Sequence, residues 1–137
     1  MKIAHFSAVA LPLMLLAACG SQAPESVVYQ KAQLCTDLAR FNTSVATLKS
    51  MSPSSTVSDF RAARDEVTTN FEQVKLTAQS VQEAKVAELE TAYQGLGSAV
   101  QSIPETATLQ QAMDSVSEQV VAVEDARAQM NADLNCP

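Results

Sequence analysis

The sequence predicts an all-α protein, an antiparallel helical bundle of coiled-coil character. Three observations carry that prediction. After residue 26, apolar residues recur at alternating spacings of three and four, the period of one helix face. Three glycines and five prolines in 137 residues are too few turn formers for a sheet fold with many tight connections. Hydrophobic residues reach 47% while aromatics stop at 4%, so a core can form and must be aliphatic. The length fits one domain and not two ordinary ones.

The first helix is expected over about 26–50, with Ser26 as N-cap and a stripe of Leu34, Leu38, Phe41, Val45 and Leu48. Residues 50–55, rich in Ser with Pro53, form a loop. Thr56-Val57-Ser58-Asp59 then fits a capping box with Asp in the usual Glu place. Its stripe is Phe60, Ala63, Val67, Phe71, Val74, Ala78 and Val81. A further stripe follows at Val86, Leu89, Tyr93, Leu96, Val100 and Ile103, but the step from Val81 to Val86 is five and breaks phase. Either the chain turns near Ser80–Glu83, where those two residues could form a second capping box, or one helix runs over about 57–102 with a register skip. Propensity favours the long helix, because no Gly, Pro or Asn lies between Phe71 and Gln94. Gly95 and Gly97 weaken its last part and permit a close helix approach. Ile103-Pro104-Glu105 breaks the chain. A last helix over about 108–134 presents Leu109, Met113, Val116, Val120, Val123, Ala126 or Arg127, Met130 and Leu134.

Three long helices are therefore the preferred arrangement, with a four-helix up-down bundle as the alternative. Cysteine geometry points the same way. In a compact four-helix bundle Cys35 would lie roughly 14 Å up the first helix while Cys136 lies at the bottom of the last, so joining them needs about a two-turn offset. In a rod built on one long helix, the two cysteines meet without adjustment.

The start of the chain reads as an address. Lys2 precedes an apolar run over about 3–16 that is too short for a stable membrane span and contains Pro12. Leu16-Ala17-Ala18-Cys19 follows and resembles the lipobox of bacterial lipoproteins. The resemblance covers residues 1–20 alone. It implies cleavage before Cys19, a diacylglyceryl group on the Cys19 thiol, and anchoring in a membrane by several acyl chains. Gly20 stands where Asp would imply inner-membrane retention in enteric-type hosts. The implied place is the periplasmic face of an outer membrane, or the outer face of the cytoplasmic membrane where there is one membrane. The organisation expected is a signal peptide at 1–18, a lipidated Cys19 and short tether at 19–26, and one helical domain at 27–137.

If Cys19 carries lipid, Cys35 and Cys136 remain as an even pair in an oxidising compartment, and a disulfide between them is expected. Cleavage also removes His5, the only histidine. Without imidazole there is no Ser-His pair, and two thiols fall short of a tetrahedral metal set. Asp65-Glu66 and Glu124-Asp125 are adjacent and Glu88 and Glu90 are two apart, spacings that point to different sides of a helix. No catalytic residue, metal site or cofactor is expected. A net charge of −6 disfavours nucleic acid and an anionic membrane surface as partners of the polar faces. Asn42-Thr43-Ser44 matches a glycosylation sequon but falls within a helix and reads as chance. The expectation is a lipid-anchored, non-catalytic helical interaction protein of the cell envelope, contacting an envelope protein or itself. The alternative is a carrier of a small apolar ligand or lipid between helices.

Overall fold

A computed structural model describes residues 24–82 and 84–137. They form four helices: α1 (Pro24–Lys49), α2 (Val57–Ala78), α3 (Val86–Gln101) and α4 (Leu109–Asp133). The fold is all-α, and the described residues contain no strand.

Each neighbouring pair runs antiparallel, as the cross-contacts show. Asp37 and Phe41 of α1 meet Thr77 and Phe71 of α2. Phe71 and Lys75 meet Tyr93 and Glu90 of α3. Lys49 pairs with Glu124, and Cys35 joins Cys136, so α1 and α4 also run opposite ways. The result is an up-down-up-down bundle. The α1–α2, α3–α4 and α1–α4 seams bring backbones close, whereas α2 and α3 stand further apart.

The apolar stripes form the core. All five predicted positions of α1 are buried, as are all seven from Phe60 to Val81. In α4 the inner residues are Leu109, Ala112, Val116, Val120, Val123, Met130 and Leu134, while Met113, Ala126 and Arg127 are half-buried. The third stripe is the least complete. Leu89 and Leu96 are buried, and Val86, Tyr93, Val100 and Ile103 only half so.

The preference for three long helices does not hold. The chain turns between Ala78 and Val86, and the four-helix alternative has the right count. The step of five sets Val86 about 140° round from Val81, yet Leu89 and Leu96 come 18 residues after Phe71 and Ala78, five whole turns. On one straight helix, the stripe beginning at Val86 would run on past Phe60–Val81 instead of returning over it. Turning lets both stripes face one core and seats Val81, 3% exposed, beneath the connection. Burying Leu89 and Leu96 stabilises by about 1.5–3 kcal/mol each. α3 begins with Lys85 as an N-cap that makes no side-chain cap bond, so it does not start at Ser80. Glu83, the other half of the expected box, lies outside the described residues. The box at Thr56 and Asp59 is formed, and Thr108 with Gln111 makes another at the start of α4.

The offset required by the cysteines is present. α1 starts at Pro24 rather than near Ser26, so residues 24–26 of the expected tether are helical and Ser26 lies in the first turn. Proline suits a first helical position, where its missing N–H costs nothing. Leu34 is the first buried residue of α1 among those whose side chains are described. The turns before Cys35 project roughly 16 Å beyond the bridge. Val27, Val28 and Tyr29 on that projection are 47%, 67% and 71% exposed.

Candidate functional site

The chemistry of the described residues gathers at the end of the bundle where α1 enters and α4 leaves. α4 stops in a Schellman motif. The Asn135 amide donates to the Ala132 carbonyl at 3.0 Å, and the Cys136 amide donates to the Asn131 carbonyl at 3.0 Å. Asn135 takes the left-handed conformation this requires, with φ 51°. Asparagine tolerates that region better than most residues carrying a Cβ. The reversal returns Cys136 toward α1, where it is bonded to Cys35 with a Cα–Cα distance of 5.5 Å. The structure thus joins the two cysteines paired from the sequence.

Two residues further along α1 lies Asp37, 1% exposed. Its carboxylate accepts from the Thr77 hydroxyl at 2.7 Å and from Gln33 Nε2 at 3.2 Å, with Arg40 3.7 Å away at the surface. The Thr77 hydroxyl has one proton and also lies 3.0 Å from its own helix's Gln73 carbonyl. The shorter, charge-assisted bond to Asp37 is the stronger of the two. Sequence reasoning missed this pair. The signal was there, since Asp37 and Ser44 fall at three-four spacing with Leu34, Phe41 and Leu48. Ser44 is also buried and donates to the Phe41 carbonyl at 2.8 Å.

Next to this polar pair the rings stack. Phe71 and Tyr93 lie 3.9 Å apart at centroids with planes 20° apart, and Tyr93 donates to the Thr68 hydroxyl at 2.8 Å. Lys75 reaches Glu90 at 3.5 Å, and Lys85 reaches Asp133 at 3.6 Å. These pairs are exposed or partly so, and each contributes at most about 1 kcal/mol.

The remaining residues singled out from the sequence do not converge. Asp65 and Glu66 are exposed on α2, Glu88 is exposed on α3, and Glu124 points to Lys49 at 2.7 Å. Asn42 and its sequon lie mid-α1, with the Thr43 hydroxyl bonded to the Ala39 carbonyl. No group of three His, Cys, Asp or Glu able to hold a metal occurs among the described residues, and none of their helices is long and apolar enough to cross a membrane. Arg127 Nε, on the inner side of α4, has no hydrogen-bond partner among them. Cys19 and the lipobox lie outside the described residues.

The cap of α2 holds one acid in a charge-favouring environment. The Asp59 carboxylate accepts from the Thr56 amide at 2.8 Å and from the Thr56 hydroxyl at 2.7 Å. The backbone bond, then the side-chain bond, hold its pKa below the ordinary aspartate value.

Between the helices run open clefts. One of about 310 Å³ separates α2 from α3 and is lined by Val67, Thr68, Leu96, Gly97 and Val100. Another of about 210 Å³ follows the α1–α4 seam beside Leu48, Met113, Val116 and Val120. Small-molecule sites usually enclose about 300–1,000 Å³. These clefts sit at or below the lower end of that range and open to solvent. Compared with known proteins, the chain matches no family model, no curated protein and no solved structure.

Proposed function

We propose that this chain is a lipid-anchored, non-catalytic helical interaction protein of the bacterial cell envelope. The observation that carries the reading is how its three cysteines divide. Cys35 and Cys136 are spent on one bridge, which belongs to an oxidising compartment. Cys19 is left over, directly after Leu16-Ala17-Ala18 and an apolar run, where the lipobox resemblance gives it a lipid to carry. A rigid, clasped bundle with dispersed surface charges offers shape and side-chain contacts to a neighbour. Its carboxylates stand apart on helix faces rather than paired across a pocket, which supports a role in contact rather than catalysis. The partner on this reading is an envelope protein or a second copy of the chain. The shallow interhelical clefts give the carrier alternative no specific support.

Native mass spectrometry of protein extracted from membranes, with and without reductant, tests the whole reading. The expected species begins at Cys19, carries acyl mass, gains two hydrogens on reduction, and occurs with a partner or as an oligomer. An unacylated chain in the soluble fraction overturns the anchor. A monomer carrying a stoichiometric small ligand moves the reading to a carrier.

A further inference from the structure

The start of α1 leaves three large apolar side chains exposed. Val27, Val28 and Tyr29 are consecutive, and at 100° per residue they span about 200° of the helix circumference. A helix lying flat on a surface buries one face, so it would leave part of this group wet. A helix meeting a surface end-on covers all three. The other exposed large apolar residues, Val57, Leu76 and Val121, stand singly and need no explanation.

Chain length says what lies opposite. Pro24, the first residue of α1, is five residues after Cys19, a reach of roughly 17 Å when fully extended. A lipid on Cys19 therefore keeps the projecting turns within touching distance of the headgroups. Charge allows the contact. In a chain of net charge −6, residues 24–33 carry one acid, Glu25, and one base, Lys31. A tyrosine beside valines matches the amphipathic chemistry of the membrane–water interface.

We propose that the first turns of α1 dip into the headgroup layer of the bilayer that holds the Cys19 lipid, with Val27, Val28 and Tyr29 as the contact residues. The bundle then stands end-on, its bridge just above the membrane. This inference rests on the anchor reading of the preceding section.

The sequence contains no Trp, so Tyr29→Trp and Val57→Trp each supply a single reporter. Val57 lies at the far end of α2, and since Thr77 meets Asp37 it stands roughly 40 Å along the bundle from Tyr29. Each full-length variant is extracted with its lipid and reconstituted into phosphatidylethanolamine–phosphatidylglycerol vesicles containing lipid brominated near the glycerol end of its chains. The expected result is blue-shifted emission from Tyr29→Trp and quenching several-fold greater than for Val57→Trp. Adding Val28→Asp to Tyr29→Trp is expected to remove most of that difference. Equal quenching at the two positions, in samples whose intact mass shows acylated Cys19, overturns the docking and leaves the anchor standing. An intact mass without acyl chains overturns both.

Discussion

Among the described residues, Asp37 carries a carboxylate into the core, 1% exposed. A carboxylate withdrawn from water loses several kcal/mol of hydration unless its lone pairs are satisfied. Thr77, Gln33 and Arg40 supply that satisfaction from two helices. Removing one donor leaves the acceptor buried and short of a bond, which costs about 1–3 kcal/mol. Thr77→Val is therefore expected to lower the urea unfolding free energy by that amount. Replacing both partners, as in Asp37→Leu with Thr77→Val, is expected to recover most of it, because an apolar pair of similar shape leaves nothing unsatisfied. A double variant weaker than Thr77→Val alone would count against this account. Asp59 shows the same chemistry at the surface. Its pKa is lowered in the folded state, so its contribution is present above the ordinary aspartate value and is lost as pH falls through the folded value. The Tm difference between the native chain and Asp59→Ala is expected to be steady near neutrality and to vanish in acid below that value. A difference that persists there would mean the loss is not electrostatic.

Among the elements, α3 is the weakest. It is the shortest helix, most of its apolar stripe is only partly covered, and it contains two glycines. The sequence suggested that Gly95 and Gly97 serve a close helix approach. The packing does not require it. A Cβ at Gly95 would meet Gln119 Cγ at 3.8 Å, an ordinary contact, and one at Gly97 would meet nothing within 4 Å. Gly95→Ala and Gly97→Ala are thus each expected to stabilise by up to about 1 kcal/mol, read as a raised thermal midpoint. A fall in either variant would show that backbone freedom or close contact is needed there. The buried faces of α1 and α2 were legible because their stripes hold phase over many turns, as Leu34–Leu48 and Phe60–Val81 do. The turn at residues 79–85 was not, because it contains no breaker residue. What ends α2 is the gain from folding the second stripe back over the first, which appears only when the helices pack together. Nor could the stripes alone reveal Asn135, whose left-handed backbone is what brings Cys136 to Cys35. The cysteine pairing itself was legible from parity and compartment. The offset that permits it within a short bundle was not, since it depends on how many turns of α1 precede Cys35.

At the scale of the molecule, one covalent bond joins the first helix to the last. The loop it closes spans 101 positions, so it removes much conformational freedom from the unfolded chain. The chain-entropy account puts the stabilisation at up to about 4–5 kcal/mol, and measured bridges often give less. Reduction, or Cys35→Ser with Cys136→Ser, is expected to lower the denaturant midpoint substantially while leaving helical content near native below the transition. Circular dichroism during urea titration, with and without reductant, measures this. An unchanged midpoint would mean that the helix seams alone set the stability.

The same bond decides what a protease can release. The connections between the four helices at 50–56, 79–85 and 102–108 all fall between Cys35 and Cys136 in sequence. A single nick in any of them divides the backbone but leaves two fragments on one clasp. Shedding either piece then takes a reductant or a second cut on the same side of the bridge, so damage at one exposed loop does not free a half-molecule.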